Sequence, residues 1–180
     1  MSGRLLALSL LLCACPGYLD EGWHVADDGV TLHPGVLPAT VDATEDCDAV
    51  VAEAVAWWAD SLDAPAFILC DGDCDVTVAL GLVPWQDTDE AEPMGLAEIE
   101  YASDGAVLAC EITISSDIAY DDATALQVAR HELGHCLGLA DDPGPPATVD
   151  LRSVMSSPLD PLGVLTEHDA ALLAPYLVGL

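Results

Sequence analysis

Apolar residues recur at helical spacing at Val50, Val51, Ala54, Val55, Trp58 and Leu62, with Thr44 ahead of them and Pro65 behind. A helix is predicted between those two, with Thr44 as its N-cap. The period then shortens. Residues 66–70 and 76–82 are brief apolar runs on either side of Asp71-Gly72-Asp73, and residues 95–101 and 106–115 flank the turn Ser103-Asp104-Gly105, the second run rich in β-branched residues and alternating through Glu111, Ile112, Thr113 and Ile114. These four segments read as strands. A second helix is expected over residues 122–139, followed by a loop carrying Pro143, Gly144, Pro145 and Pro146 and a short segment over 153–157. A last helix opens at Thr166, where Asp169 three residues on makes an acidic variant of the capping box. Residues 16–43 are rich in Gly, Pro and Asp and show little periodicity, so they read as a tether and irregular lead-in. No internal repeat is visible. Mixed strands and helices imply an α+β fold with one mixed sheet of about four to five strands, in a single domain over residues 44–180.

The first residues follow another logic. Arg4, the apolar run from Leu5 to Leu12 and the small residues behind it have the layout of an export signal, over residues 1–14. The run is too short to span a bilayer. Leu12-Cys13-Ala14-Cys15 resembles the bacterial lipobox, which implies a lipid anchor on Cys15, with simple secretion as the alternative. Export turns the seven cysteines into a disulfide reading. Without Cys13 and Cys15 five remain, an odd number, and Cys136 is the expected free thiol. The pairing of Cys47, Cys70, Cys74 and Cys110 stays open among three connectivities.

Charge narrows the partners. The chain has 32 acidic residues against three basic ones, a formal net charge of -29. A nucleic-acid partner is excluded, because neutralising phosphates takes clustered Lys and Arg. Docking on anionic lipid is disfavoured for the same reason, so membrane contact is expected only through the N-terminal lipid. With 52% hydrophobic residues the chain nevertheless has the means to fold, and a monomer is expected. Loss of residues 1–14 removes Arg4 and no acid, which sharpens the imbalance in the exported protein.

The chemistry concentrates in His131-Glu132-Leu133-Gly134-His135-Cys136-Leu137-Gly138-Leu139-Ala140-Asp141. On a helix, His131 and His135 project from one face with about 6 Å of axial separation, a spacing that puts two imidazoles on one zinc ion. Leu126, Leu133 and Leu137 fall on nearly the opposite face and can be buried. Glu132 is placed to act on a water at the metal, and Gly138 allows the turn that brings Asp141 back to the ion. In a chain of this composition a chance His-Glu-x-x-His arises only about once in 130 sequences.

This stretch resembles the metzincin metalloproteases, whose motif is His-Glu-x-x-His-x-x-Gly-x-x-His followed by a methionine turn. His131, Glu132, His135 and Gly138 match, and Ser153-Val154-Met155-Ser156 looks like the Met-turn, with Met155 as the apolar floor. The departure is Asp141 in place of the third histidine, as in small secreted proteases of the snapalysin type, with Asp142 as its competitor. The resemblance covers about residues 120–157 with specificity and residues 44–119 only in the order of elements. It implies one catalytic Zn²⁺ held by His131, His135 and Asp141, with Glu132 as general base in peptide hydrolysis. It also implies that Gly95, Leu96 and Ala97 lie on the edge strand against which a peptide or protein substrate extends.

Other features are read more plainly. Asp71, Asp73 and Asp75 alternate as in a Ca²⁺ loop, but no glutamate closes a twelve-residue loop and Cys70 and Cys74 bracket the segment, so a disulfide-pinned acidic turn is expected instead. His168 beside Glu167 reads as an ordinary helix residue. His24 and His33 are given no role, and Trp57, Trp58 and Trp85 are assigned to core and rim. No cysteine lies between Cys15 and Cys47 to block a zinc ion, and no propeptide is evident. The expected activity is that of an exported zinc endopeptidase. The alternative is a non-catalytic surface lipoprotein that keeps a metal for folding and serves binding or adhesion.

Overall fold

The computed structural model describes residues 22–83, 94–116, 122–141, 153–156, 163–178 and 180. The expected signal over residues 1–14, Cys15, Trp85, Asp142, the proline loop and Ser157 lie outside the described residues.

The fold is α+β, and the described residues form one five-stranded mixed sheet and three α-helices. The strands are β1 (Ala39–Ala43), β2 (Phe67–Leu69), β3 (Val76–Gly81), β4 (Gly95–Tyr101) and β5 (Val107–Ser115), in the spatial order β2-β1-β3-β5-β4. β1 runs parallel to both β2 and β3, and β3 runs parallel to β5. β4 pairs antiparallel with β5 and closes one edge. The alternation that predicts these strands matches their burial: Val76 and Val78, Ala97 and Ile99, and Cys110, Ile112 and Ile114 face the core, while Thr77, Glu100 and Glu111 face outward.

Two helices, α1 (Asp48–Leu62) and α2 (Asp122–Cys136), cover the apolar face and touch each other. Trp58 is the joint. It is fully buried, donates its indole N–H to the carbonyl of Arg130 on α2 at 3.0 Å, and meets Phe67 of β2 edge-on at 6.2 Å. Arg130 lies over the Trp57 ring, 4.9 Å from its centroid. α3 (Glu167–Leu173) and a short 3-10 turn (Ala174–Tyr176) follow. The capping box predicted at Thr166 is present in full, with Asp169 as its N3 partner. No helix among the described residues is long and apolar enough to cross a membrane.

Three expectations need correction. The lead-in is not irregular throughout, because β1 sits inside the sheet with Val41 fully buried. Five residues containing one deeply buried side chain carry too little period to announce a strand. Thr44 does not cap α1: its N–H is tied to the carbonyl of Val78 at 3.0 Å and its own carbonyl accepts from Cys47, so the chain makes one turn before the helix starts behind Cys47. Cys136 is not the free thiol. It is bonded to Cys110 of β5, while Cys70 pairs with Cys74 and, among the described residues, Cys47 is the free cysteine and is buried. The end of α2 lies directly over β5, a long-range juxtaposition that spacing along the chain does not reveal. The two disulfides point to a non-reducing setting.

Candidate metal centre

The histidines of α2 stand one turn apart near its C-terminal end, His135 in the last turn before the helix gives way at Cys136. Gly138, at φ +84°, takes the left-handed conformation that ends a helix, and its N–H donates to the carbonyl of His135 at 2.8 Å. That position has no room for a side chain, since a Cβ there would sit 2.9 Å from the backbone nitrogen of His33. The chain thereby reverses and returns Asp141 to the face that carries the histidines.

Three donor atoms converge. The Nε2 atoms of His131 and His135 are 3.1 Å apart, and one carboxylate oxygen of Asp141 lies 3.1 Å from the first and 3.6 Å from the second. The tautomers follow from the other side of each ring. His131 Nδ1 is 2.9 Å from the carbonyl of Val154, and His135 Nδ1 is 2.9 Å from the carbonyl of Leu139. A carbonyl only accepts, so both Nδ1 atoms are donors and both Nε2 atoms point their lone pairs at each other and at a carboxylate. Only a positive charge at the centre makes that arrangement favourable. Two imidazoles and one carboxylate, both histidines buried, suit a divalent transition metal, and this is the one group of its kind among the described residues.

In the metal-free protein a proton answers part of that demand. Burial alone would lower His131, but the Asp141 carboxylate hydrogen-bonded to it, with Glu132 and the Val154 carbonyl, outweighs burial and lifts it to about 9. Burial takes His135 the other way, to about 4, against the pull of Asp141. Burial also works to raise Asp141, yet the two histidines hold it down at about 2. The pair therefore keeps one proton and leaves one lone pair.

Glu132 is buried, and that burial lifts its carboxyl to about 7. It does not join the donor cluster. Its side chain instead lies against Gly95 at the start of the edge strand β4, where any Cβ would collide with the carboxylate and with Val128. Gly95, Leu96 and Ala97 are thus brought beside α2, and Leu96 and Ala97 are buried.

Met155 is buried, its sulfur packed against Gly134, which lies between the two histidines in sequence. The turn that carries it is fastened from behind. Asp169 accepts from the Ser153 hydroxyl at 2.8 Å, and the Met155 N–H donates to the same Ser153 oxygen at 2.9 Å. Val154, whose carbonyl orients His131, lies between them, and its N–H donates to the carbonyl of Val164 at 2.8 Å. The Cys110–Cys136 bond ties the residue after His135 to β5, between β3 and the edge strand β4.

The remaining candidates lie elsewhere. His168 is outside the donor group, against Gly22. His33 stacks on Tyr176 at 5.5 Å. Asp75 accepts from the N–H and hydroxyl of Thr40 at 2.8 and 2.6 Å, so it clasps β1. With Cys70 bonded to Cys74, the segment is a pinned acidic turn and makes no cation cluster. What the sequence reading missed is residues 22–24. Trp23 pairs with Leu139, and His24 is buried with its Nε2 unpartnered among the described residues. The only trace is a short alternation through Trp23, His24, Val25 and Ala26, too brief to stand out.

No protein-family model matches this chain, and neither does any curated protein.

Proposed function

We propose that the protein is an exported zinc-dependent endopeptidase of the metzincin type. The observation that carries this reading is the division of labour at α2. Three donors converge on one point, while a fourth buried acid, Glu132, stands beside them outside the donor set and against an edge strand. A site that holds metal only for folding has no use for that acid, and a peptidase requires it.

Bound by His131, His135 and Asp141, zinc would supply a Lewis acid for a peptide carbonyl and lower the pKa of water. The remaining work belongs to the chain. Glu132, buried beside the donor set, accepts the proton of the attacking water on a carboxylate oxygen and returns it to the departing amine. Among the described residues β4 ends the sheet, and its outer edge is where an extended peptide would add a strand. Asp141 makes the site one charge less positive than three neutral histidines would, so a weaker Lewis acid is expected.

The test is metal analysis together with cleavage of casein and a panel of basic peptides, with and without a chelator. About one zinc per chain and chelator-sensitive cleavage are expected. Bound metal with no cleavage of any substrate would support the metal-stabilised binding lipoprotein instead. The anchor at Cys15 belongs to the same proposal and is read by mass spectrometry of the membrane fraction.

A further inference from the structure

The peptide bonds around Leu139 govern two of the three donors. The Leu139 carbonyl orients His135 through Nδ1, and Asp141 follows two residues later. This stretch has left the helix: the Gly138 and Leu139 N–H groups still bond back to the carbonyls of His135 and Gly134 at 2.8 and 3.2 Å, but the Gly138 carbonyl and the Ala140 N–H do not. The bonds on either side of Leu139 go to residues 22–24. The His24 N–H donates to the carbonyl of Gly138 at 2.8 Å, the Ala140 N–H donates to the carbonyl of Gly22 at 3.1 Å, and Trp23 pairs antiparallel with Leu139. The segment is itself held, because the Leu32 N–H donates to the His24 carbonyl at 2.8 Å and the Trp23 ring meets Tyr176 edge-on at 5.8 Å.

We propose that Gly22-Trp23-His24 is a positioning strand of the metal centre, which sets the Leu139 carbonyl on His135 and brings Asp141 into the donor set, so that metal affinity depends on its docking. This rests on the metal reading above and extends it to a segment without any ligand of its own. Outer partners that orient ligands are commonly worth 10- to 100-fold in metal affinity. Here they act through backbone and lie more than a hundred residues away in sequence.

The experiment uses the full-length protein, with zinc affinity from competition against a chromophoric chelator and the donor set from the visible spectrum of the Co²⁺ form. Trp23→Ala is expected to weaken zinc binding by about 10- to 100-fold and to move the Co²⁺ spectrum toward that of Asp141→Ala. Trp23→Phe keeps an aromatic edge for Tyr176 and should restore most of the affinity. In the double variant Trp23→Ala/Asp141→Ala the combined loss should fall short of the product of the single losses, since both act partly through one ligand. Should Trp23→Ala not fold, Gly22→Ala carries the same expectation, because Gly22 has φ +73° and a Cβ there would lie 2.6 Å from His168 Nε2. Folded variants with unchanged zinc affinity and an unchanged spectrum, or losses that multiply in full, would overturn the positioning role while the metal centre stood. A wild-type protein that takes up neither zinc nor cobalt would overturn the metal reading itself, and the positioning strand with it.

Discussion

The site helix with its turn, residues 122–141, and the lead-in, residues 22–43, meet at Leu139, yet they carry information in opposite ways. In the first, chemistry is dense and local: two histidines one helical turn apart, an acid between them and a glycine at the reversal. In the second no residue is chemically distinctive, and everything it contributes is pairing. It places β1 between β2 and β3 and lays residues 22–24 along the turn that delivers Asp141. A motif can therefore name the ligands and remain silent on what holds them. The two regions stand to the protein as donors and mounting.

The comparison can be strained from either side. The largest stability effect should come from the site side, where Cys110–Cys136 closes a loop of sequence separation 26. Replacing both cysteines by alanine should cost about 3.5 kcal/mol on the chain-entropy account, measured by denaturant unfolding. A cost near zero would show that α2 is held to the sheet without it. From the lead-in side, Val41→Ala should cost about 2 kcal/mol, because Val41 is fully buried in β1. If the lead-in were only a tether, that substitution would be silent.

Acidity separates the donors from their mounting. Below pH 9 the metal-free site holds a proton on His131, and a metal needs that lone pair. Each pH unit below 9 should thus weaken zinc binding about tenfold, with a plateau above, while Trp23→Ala, which loosens the Asp141 carboxylate that raises His131, should lower the plateau and move the break to lower pH. Affinity flat from pH 6 to 9 would contradict the donor assignment. Smallest of all is the effect of net charge. Basic peptides should be cleaved a few-fold faster than matched acidic ones at low ionic strength, with the gap closing at high salt. Equal rates would assign the 32 acids to solubility.

What the sequence disclosed follows the same line. The edge strand Gly95–Tyr101 was legible to the residue, since it faces the alternating run over 106–115 across a turn marked by Gly105. The box at Thr166 was legible because both partners lie within four residues. His131, Glu132 and His135 could be placed on one stretch of helix by period alone, and Asp141 by the glycine before it. β1, the Cys110–Cys136 pairing and residues 22–24 could not. Each depends on a partner far away in the chain, and a pattern read over a dozen residues does not name that partner. The start of α1 failed for a related reason, because the Thr44 N–H was already committed to Val78.

The central claim is that Glu132 performs the chemistry and does not hold the metal, and its most direct measurement is turnover in Glu132→Ala at matched zinc content. The expected result is about one zinc per chain, as in the unaltered protein, with peptide hydrolysis reduced by at least about a hundredfold. Unchanged turnover with zinc bound, or loss of the zinc itself, would contradict it.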